Sequence, residues 1–224
     1  PASVLPKGSV GTGLAAHVVV SKYADHLPVY RQEQILARAG VDLPRSTLGD
    51  VVATVAERLA PVADAILAEV LAGRVVHTDD TPVTYLTPPK GSARGFVWTY
   101  VGEKGDVAYD FTPTRSRDGP LRVLGRYRGF LQADAYAGYD ALYPAGEIVE
   151  VGCWAHARRY FVRAKDSDPR AALVLLPIQR LYAVEAQGRT LPEAERQLLR
   201  LSKSKPLLDE VRRRMDRMFE EGLL

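Results

Sequence analysis

The chain has 224 residues, 46% hydrophobic and 25% charged, with a formal net charge of +3, which suits one large globular domain or two small ones. Its single cysteine, Cys153, excludes an internal disulfide and a four-cysteine zinc site. No apolar run approaches the ~20 residues of a membrane span, and "PASVLPKGSVGTG" is not a signal peptide, so a cytoplasmic protein without membrane contact is expected.

Residues 1–13 read as loop, and the chain's start at Pro1 suits a processed product or a segment of something longer. The glycines of "KGSVGTG" do not make a nucleotide loop, because no strand precedes them and no Lys-Ser/Thr follows. Leu14 to Ala39 reads as helix, interrupted at Pro28. After the stop at Gly40, Ser46 reads as the N-cap of a second helix, with Leu48, Val51, Val52, Val55 and Leu59 at helical spacing. Pro61 then restarts a helix that Gly73 ends. Helix, glycine turn and helix is the outline of a helix-turn-helix DNA reader, and equally of many plain helical hairpins.

From Arg74 the pattern changes. "RVVHTD", "GFVWTYVG" and "DVAYDFTP" are β-rich runs separated by Pro/Gly turns, which suggests an antiparallel meander. "RDGPLRVLGRY" reads as a short helix, "GFLQAD" as a fourth strand, and "EIVEVGCW" as a fifth running into the helical "AHARRYFVRA". This succession predicts an α/β protein with a mixed sheet in the ribonuclease-H-like order. After Asp168-Pro169, N-cap and first helical residue, the chain reads as helical to its end, with breaks at Gly188 and near Pro206. The expected parts are a helical lead-in over 1–73, a core over 74–168, and a helical insertion or C-terminal helices over 169–224.

Two strands are expected to end in acid: the first at Asp79 in "HTDDTPV", the fourth at Asp134 in "LQADAYAGYD". In the sheet order above these strands are central neighbours. Two carboxylates a few Å apart repel unless a cation sits between them. Such hard oxygen ligands suit Mg²⁺ or Mn²⁺, ions that hold phosphate oxygens and activate a water or a 3′-hydroxyl. Each aspartate alone reads better as a cap of the next turn, and the two together on adjacent strand ends read better as a metal pair. Strand alternation does not separate Asp79 from its neighbour Asp80. Arginines cluster at Arg115, Arg117, Arg122, Arg126 and Arg128, and again at Arg158, Arg159 and Arg163, as a DNA-backbone surface would require.

"HTDDTPV" resembles the "HADETPV" block of transposases of the insertion sequence sixty-six family, and "GFLQADAYAGYD" that family's second-aspartate block. "GCWAHARRYF" and "LYAVE" resemble the blocks that follow, and "SKYADHLPVYRQEQILARAGVDLPRSTL" the helical block upstream. The resemblance covers essentially the whole chain. It implies a DDE-type transposase that cleaves and transfers DNA strands, works as a homo-oligomer on element ends and target DNA, and uses two Mg²⁺ or Mn²⁺ ions. It aligns Asp79 and Asp134 with the two metal-binding, catalytic aspartates, and sets Asp80 where the family more often has Glu. Cys153 and His156 match a C-x₂-H pair, which reads better as a buried cysteine and a hydrogen-bonding histidine than as half a zinc site. The third carboxylate is open. Glu185 of "LYAVE" is the local candidate, whereas the family's glutamate sits in an Asn-Asn-x-x-Glu-Arg-type block absent here. The chain therefore reads as a central piece of the family pattern, expected to bind metal weakly and to transpose nothing alone.

Overall fold

A computed structural model describes residues 10–221 except 88 and 90. The expected loop over 1–13 falls largely outside the described residues. Three helices lead: α1 (Thr12–Tyr23), α2 (Val29–Arg38) and α3 (Arg45–Ala72). The strands are β1 (Val75–Leu86), β2 (Ser92–Gly102), β3 (Val107–Thr112), β4 (Gly129–Ala133) and β5 (Ile148–Gly152). Helix α4 (Asp118–Leu124) precedes β4, a 3₁₀ turn (Ala137–Leu142) follows it, and α5 (Trp154–Ala164) follows β5. The chain closes with α6 (Ala171–Gly188), α7 (Glu193–Leu199), a π-helical turn (Arg200–Ser204) and α8 (Lys205–Glu220).

The strands form one mixed sheet in the order β3-β2-β1-β4-β5, which is the α/β, ribonuclease-H-like arrangement expected. β4 lies parallel to both β1 and β5. The turn over residues 103–106 is far too short for a parallel crossover, so β2 and β3 form a hairpin.

The chain divides into two compact units, residues 1–73 with 100–110, and residues 74–99 with 111–224. In the first, Ala15 and Val18 of α1 pack with Leu48 and Val51 of α3. Gln32 on α2 is buried, and its amide donates to the Val18 and Leu27 carbonyls at 3.2 and 2.9 Å. Gly40 takes a positive φ of 79° just after α2, a conformation that costs glycine nothing. Two helical details differ from expectation. α3 is continuous through Pro61 rather than restarted there. Its first amide, on Arg45, is capped by the Glu33 carboxylate at 2.8 Å rather than by Ser46. The turn around Pro61 is exposed, so water can satisfy the carbonyl that the proline leaves free. Leu59, expected on the packed face, is half exposed.

In the second unit, Val76 on β1, Leu131 on β4 and Trp98 on β2 are fully buried. Trp98 meets Tyr139 edge-on at 6.0 Å, and its indole N–H donates to Thr112 Oγ1 at 2.7 Å. Among the described residues, 171–220 carry helices and no strand. Val174 and Ile178 of α6 pack with Val211 and Met218 of α8, and Phe161 of α5 joins them. The Asp168 carboxylate accepts the Arg170 amide at 2.9 Å, and the helix begins at Ala171 with Arg170 as its N-cap, two residues beyond the expected cap at Asp168. The break expected near Pro206 is not a break: α7, the π turn and α8 run on without a gap.

Candidate metal centre

Val75, Val76 and His77 of β1 lie level with Phe130, Leu131 and Gln132 of β4. Two residues further along these parallel chains come Asp79 and Asp134. β4 has ended at Ala133 by then, while β1 runs on to Leu86. Asp79 was expected to end its strand. It sits inside it, because β1 keeps β2 as a neighbour on its other edge after β4 has stopped. The same logic delivers a third group. Ala133 of β4 lies level with Gly152 of β5, so Cys153 and the first turn of α5, with His156, follow beside Asp134.

One oxygen of Asp79, one of Asp134 and one ring nitrogen of His156 lie within 4.8 Å of one another. His156 Nε2 is 3.7 Å from Asp79 Oδ2. Asp79 Oδ1 accepts the Asp80 amide at 2.9 Å, and Asp134 Oδ1 accepts the Tyr136 amide at 3.2 Å, so one oxygen of each carboxylate is fixed by backbone. His156 Nδ1 is buried with no hydrogen-bond partner among the described residues. Such an orphan costs about 1–3 kcal/mol, which a bound group or water would recover.

Asp80 has the opposite fate. Its side chain is 4% exposed against 57% for Asp79. Arg115 grips it with Nε at 2.9 Å from both oxygens and Nη2 at 2.6 Å from Oδ1. That bond to Asp80 is the main reason the guanidinium pKa is pushed still higher. Nη2 also reaches Asp134 Oδ2 at 3.5 Å. The guanidinium lies 4.0 Å from the Tyr136 ring centre, and the Tyr136 hydroxyl donates to the Arg115 carbonyl. Beneath, the buried Tyr139 hydroxyl pairs with Thr78 Oγ1 at 3.3 Å. Burial pushes that phenol's pKa up, and its bond to Thr78 pulls it back in part, so Tyr139 stays protonated.

The structure thus brings Asp79 and Asp134 together and adds His156, which the sequence cast as a hydrogen-bonding residue near the site. Cys153 is half-buried and outside the group. Glu185 on α6 is also outside it, bound in parallel to Arg200 at 2.8 and 2.6 Å. Arg200 holds its carboxyl below the usual carboxylate range, chiefly by that hydrogen bond. Arg115 and Tyr136 were missed as site residues. Arg115 was visible only as one of a run of arginines, with nothing to pair it to an acid 35 positions away. Of the second arginine cluster, exposed Arg158 and Arg159 line an open concavity with Gln179 and Tyr182.

Two carboxylates and an imidazole so placed could hold a divalent cation, and a nitrogen donor suits Mn²⁺ better than Mg²⁺, which keeps to oxygen. No described helix is long and apolar enough to cross a membrane. The sequence pattern of the Transposase IS66 family matches residues 7–223. Three uncharacterized proteins of Sinorhizobium fredii are similar: y4qI at 33% identity, y4hP at 32% and y4jD at 33%, each over 93–96% of this chain. The chain spans 42–45% of the length of these relatives.

Proposed function

The chain belongs to the IS66 transposase family, and from that premise we propose that its second unit carries the metal centre of a DDE-type transposase, which cleaves DNA at element ends and joins it to target DNA. The observation that carries this reading is the approach of Asp79, Asp134 and His156 to within 4.8 Å. Asp79 and Asp134 are the catalytic, metal-holding aspartates, and His156 supplies a nitrogen ligand. When bound, the cation lowers the pKa of a water and neutralises charge on the phosphate.

The chain's own groups set up that chemistry. The Tyr136 amide holds one Asp134 oxygen and so aims the other into the site. The Asp80 amide does the same for Asp79. His156 is carried on a helix whose outer face presents Arg158, Arg159 and Arg163, all exposed. They contribute backbone contacts to DNA with no base preference. A second ion, the third carboxylate, homo-oligomeric assembly on DNA and a cytoplasmic location belong to the same proposal, for the full-length protein.

Mn²⁺ titration by calorimetry tests the centre. Wild-type protein takes up one ion per chain, and Asp79→Asn or Asp134→Asn abolishes the uptake. In the full-length protein, plasmid nicking falls by roughly 10³-fold in either variant, since metal contacts supply several kcal/mol to such transition states. Equal Mn²⁺ uptake by both variants would overturn the assignment. Metal uptake and DNA binding without nicking would mark an inactive, DNA-binding remnant instead.

A further inference from the structure

Arg115 is held more firmly than a surface arginine needs to be. Its Nε and Nη2 are committed to Asp80, its ring-facing side to Tyr136 at 4.0 Å, and its own carbonyl to the Tyr136 hydroxyl. Arginine has about 2 kcal/mol of rotamer entropy to lose, so immobilisation at three points is costly unless the fixed geometry has a use. Sealing both partners of an ion pair often costs more in desolvation than the pairing returns. Here Asp80 is sealed at 4% while Arg115 remains 38% exposed.

A guanidinium is a rigid planar fork, so fixing one edge dictates where the remaining N–H groups point. The bonds to Asp80 and Asp134 use Nε and Nη2, which leaves the Nη1 donors uncommitted by them. Nη2 lies 3.5 Å from Asp134 Oδ2, and Asp134 belongs to the Asp79–Asp134–His156 group. A cation there and the Arg115 guanidinium would flank the same carboxylate. A phosphodiester has two non-bridging oxygens, one for each positive neighbour, and arginine is well matched to phosphate.

We infer that Arg115, held in place by Asp80, contacts a non-bridging oxygen of the DNA phosphodiester that enters the metal centre. Asp80 is then a positioning residue rather than a metal ligand. This rests on the proposed metal centre, and the experiment separates the two. The probe is thymidylyl-thymidine, a single phosphodiester, titrated in Mg²⁺ and followed by NMR, with its neutral methylphosphonate analogue as control. Wild-type protein prefers the phosphodiester. Arg115→Gln weakens phosphodiester binding about tenfold, the size of one charge-assisted hydrogen bond, and leaves analogue binding unchanged. Arg115→Lys keeps the charge but loses the fork, and falls between. Circular dichroism confirms that each variant is folded, and Mn²⁺ uptake persists in both. An equal loss for both probes in Arg115→Gln, or no wild-type preference between them, overturns the role of Arg115 while leaving the metal centre standing. Unchanged Mn²⁺ uptake in Asp79→Asn overturns the centre itself.

Discussion

The C-terminal helices and the ends of the central strands treat their acids differently. On the helices several acids have a cation of their own: Glu185 with Arg200, Asp209 with Lys205 and Glu210 with Arg214. These pairs are exposed or half-exposed, local or between neighbouring turns, and each adds little to stability. At the sheet, Asp80 and Asp134 share one guanidinium, and Asp79 has an imidazole as its basic neighbour. That guanidinium goes almost wholly to Asp80. Charge left unbalanced by the fold is where an external cation is worth binding, and charge balanced in place is scaffold.

The difference can be tested in three steps of falling size. Ile178, fully buried between α6 and α8, belongs wholly to the scaffold. Ile178→Ala should cost about 2–5 kcal/mol in denaturant unfolding and leave Mn²⁺ affinity intact. A matching loss of Mn²⁺ affinity would mean that the helices and the centre do not act separately.

His156→Ala removes the proposed nitrogen ligand together with a buried orphan atom. It should weaken Mn²⁺ binding by about tenfold, or roughly 1.4 kcal/mol, with unfolding stability held or raised slightly. Unchanged affinity would reduce the centre to its two carboxylates.

Glu185→Gln should cost below about 1 kcal/mol, because Glu185 and Arg200 are both about half exposed. Its pH dependence has a fixed sign. Arg200 lowers the folded-state pKa of Glu185, so the pair's contribution is present at neutral pH and vanishes as pH falls through that lowered value. Wild type and Glu185→Gln should therefore converge in stability in acid. A variant that instead lost Mn²⁺ uptake at pH 7 would move Glu185 from the scaffold into the centre.

Much of this was legible in the residues, for reasons that differ by element. Short β-rich runs between Pro/Gly turns gave the strand sequence, and parallel register then carried Asp79 level with Asp134. His156 was harder. Its spacing from Cys153 describes only the start of α5, and its approach to Asp79 depends on β5 lying beside β4. The Asp80–Arg115 pair was invisible for a like reason, since β2 and β3 separate its partners along the chain and they meet only once the chain has turned back beside β1. Pro61 misled because proline breaks helices by rule, and the rule relaxes where the freed carbonyl faces water.

The π turn at Arg200–Ser204 has a consequence for how the chain can change in length. A π turn is an α-helix holding one residue too many. Deleting a residue elsewhere in 193–220 would rotate one flank by about 100° relative to the other, and on α8 that would bring Arg212 and Phe219 to the faces now held by Val211 and Met218. A deletion within Arg200–Ser204 absorbs the surplus and leaves both flanks facing as before. The remaining obstacle would be Pro206, which lacks an amide and crowds the carbonyl one regular turn earlier, at a cost of about 3 kcal/mol. The turn is thus a length buffer, the point in this stretch where a one-residue deletion can be absorbed without disturbing which side chains the helices bury.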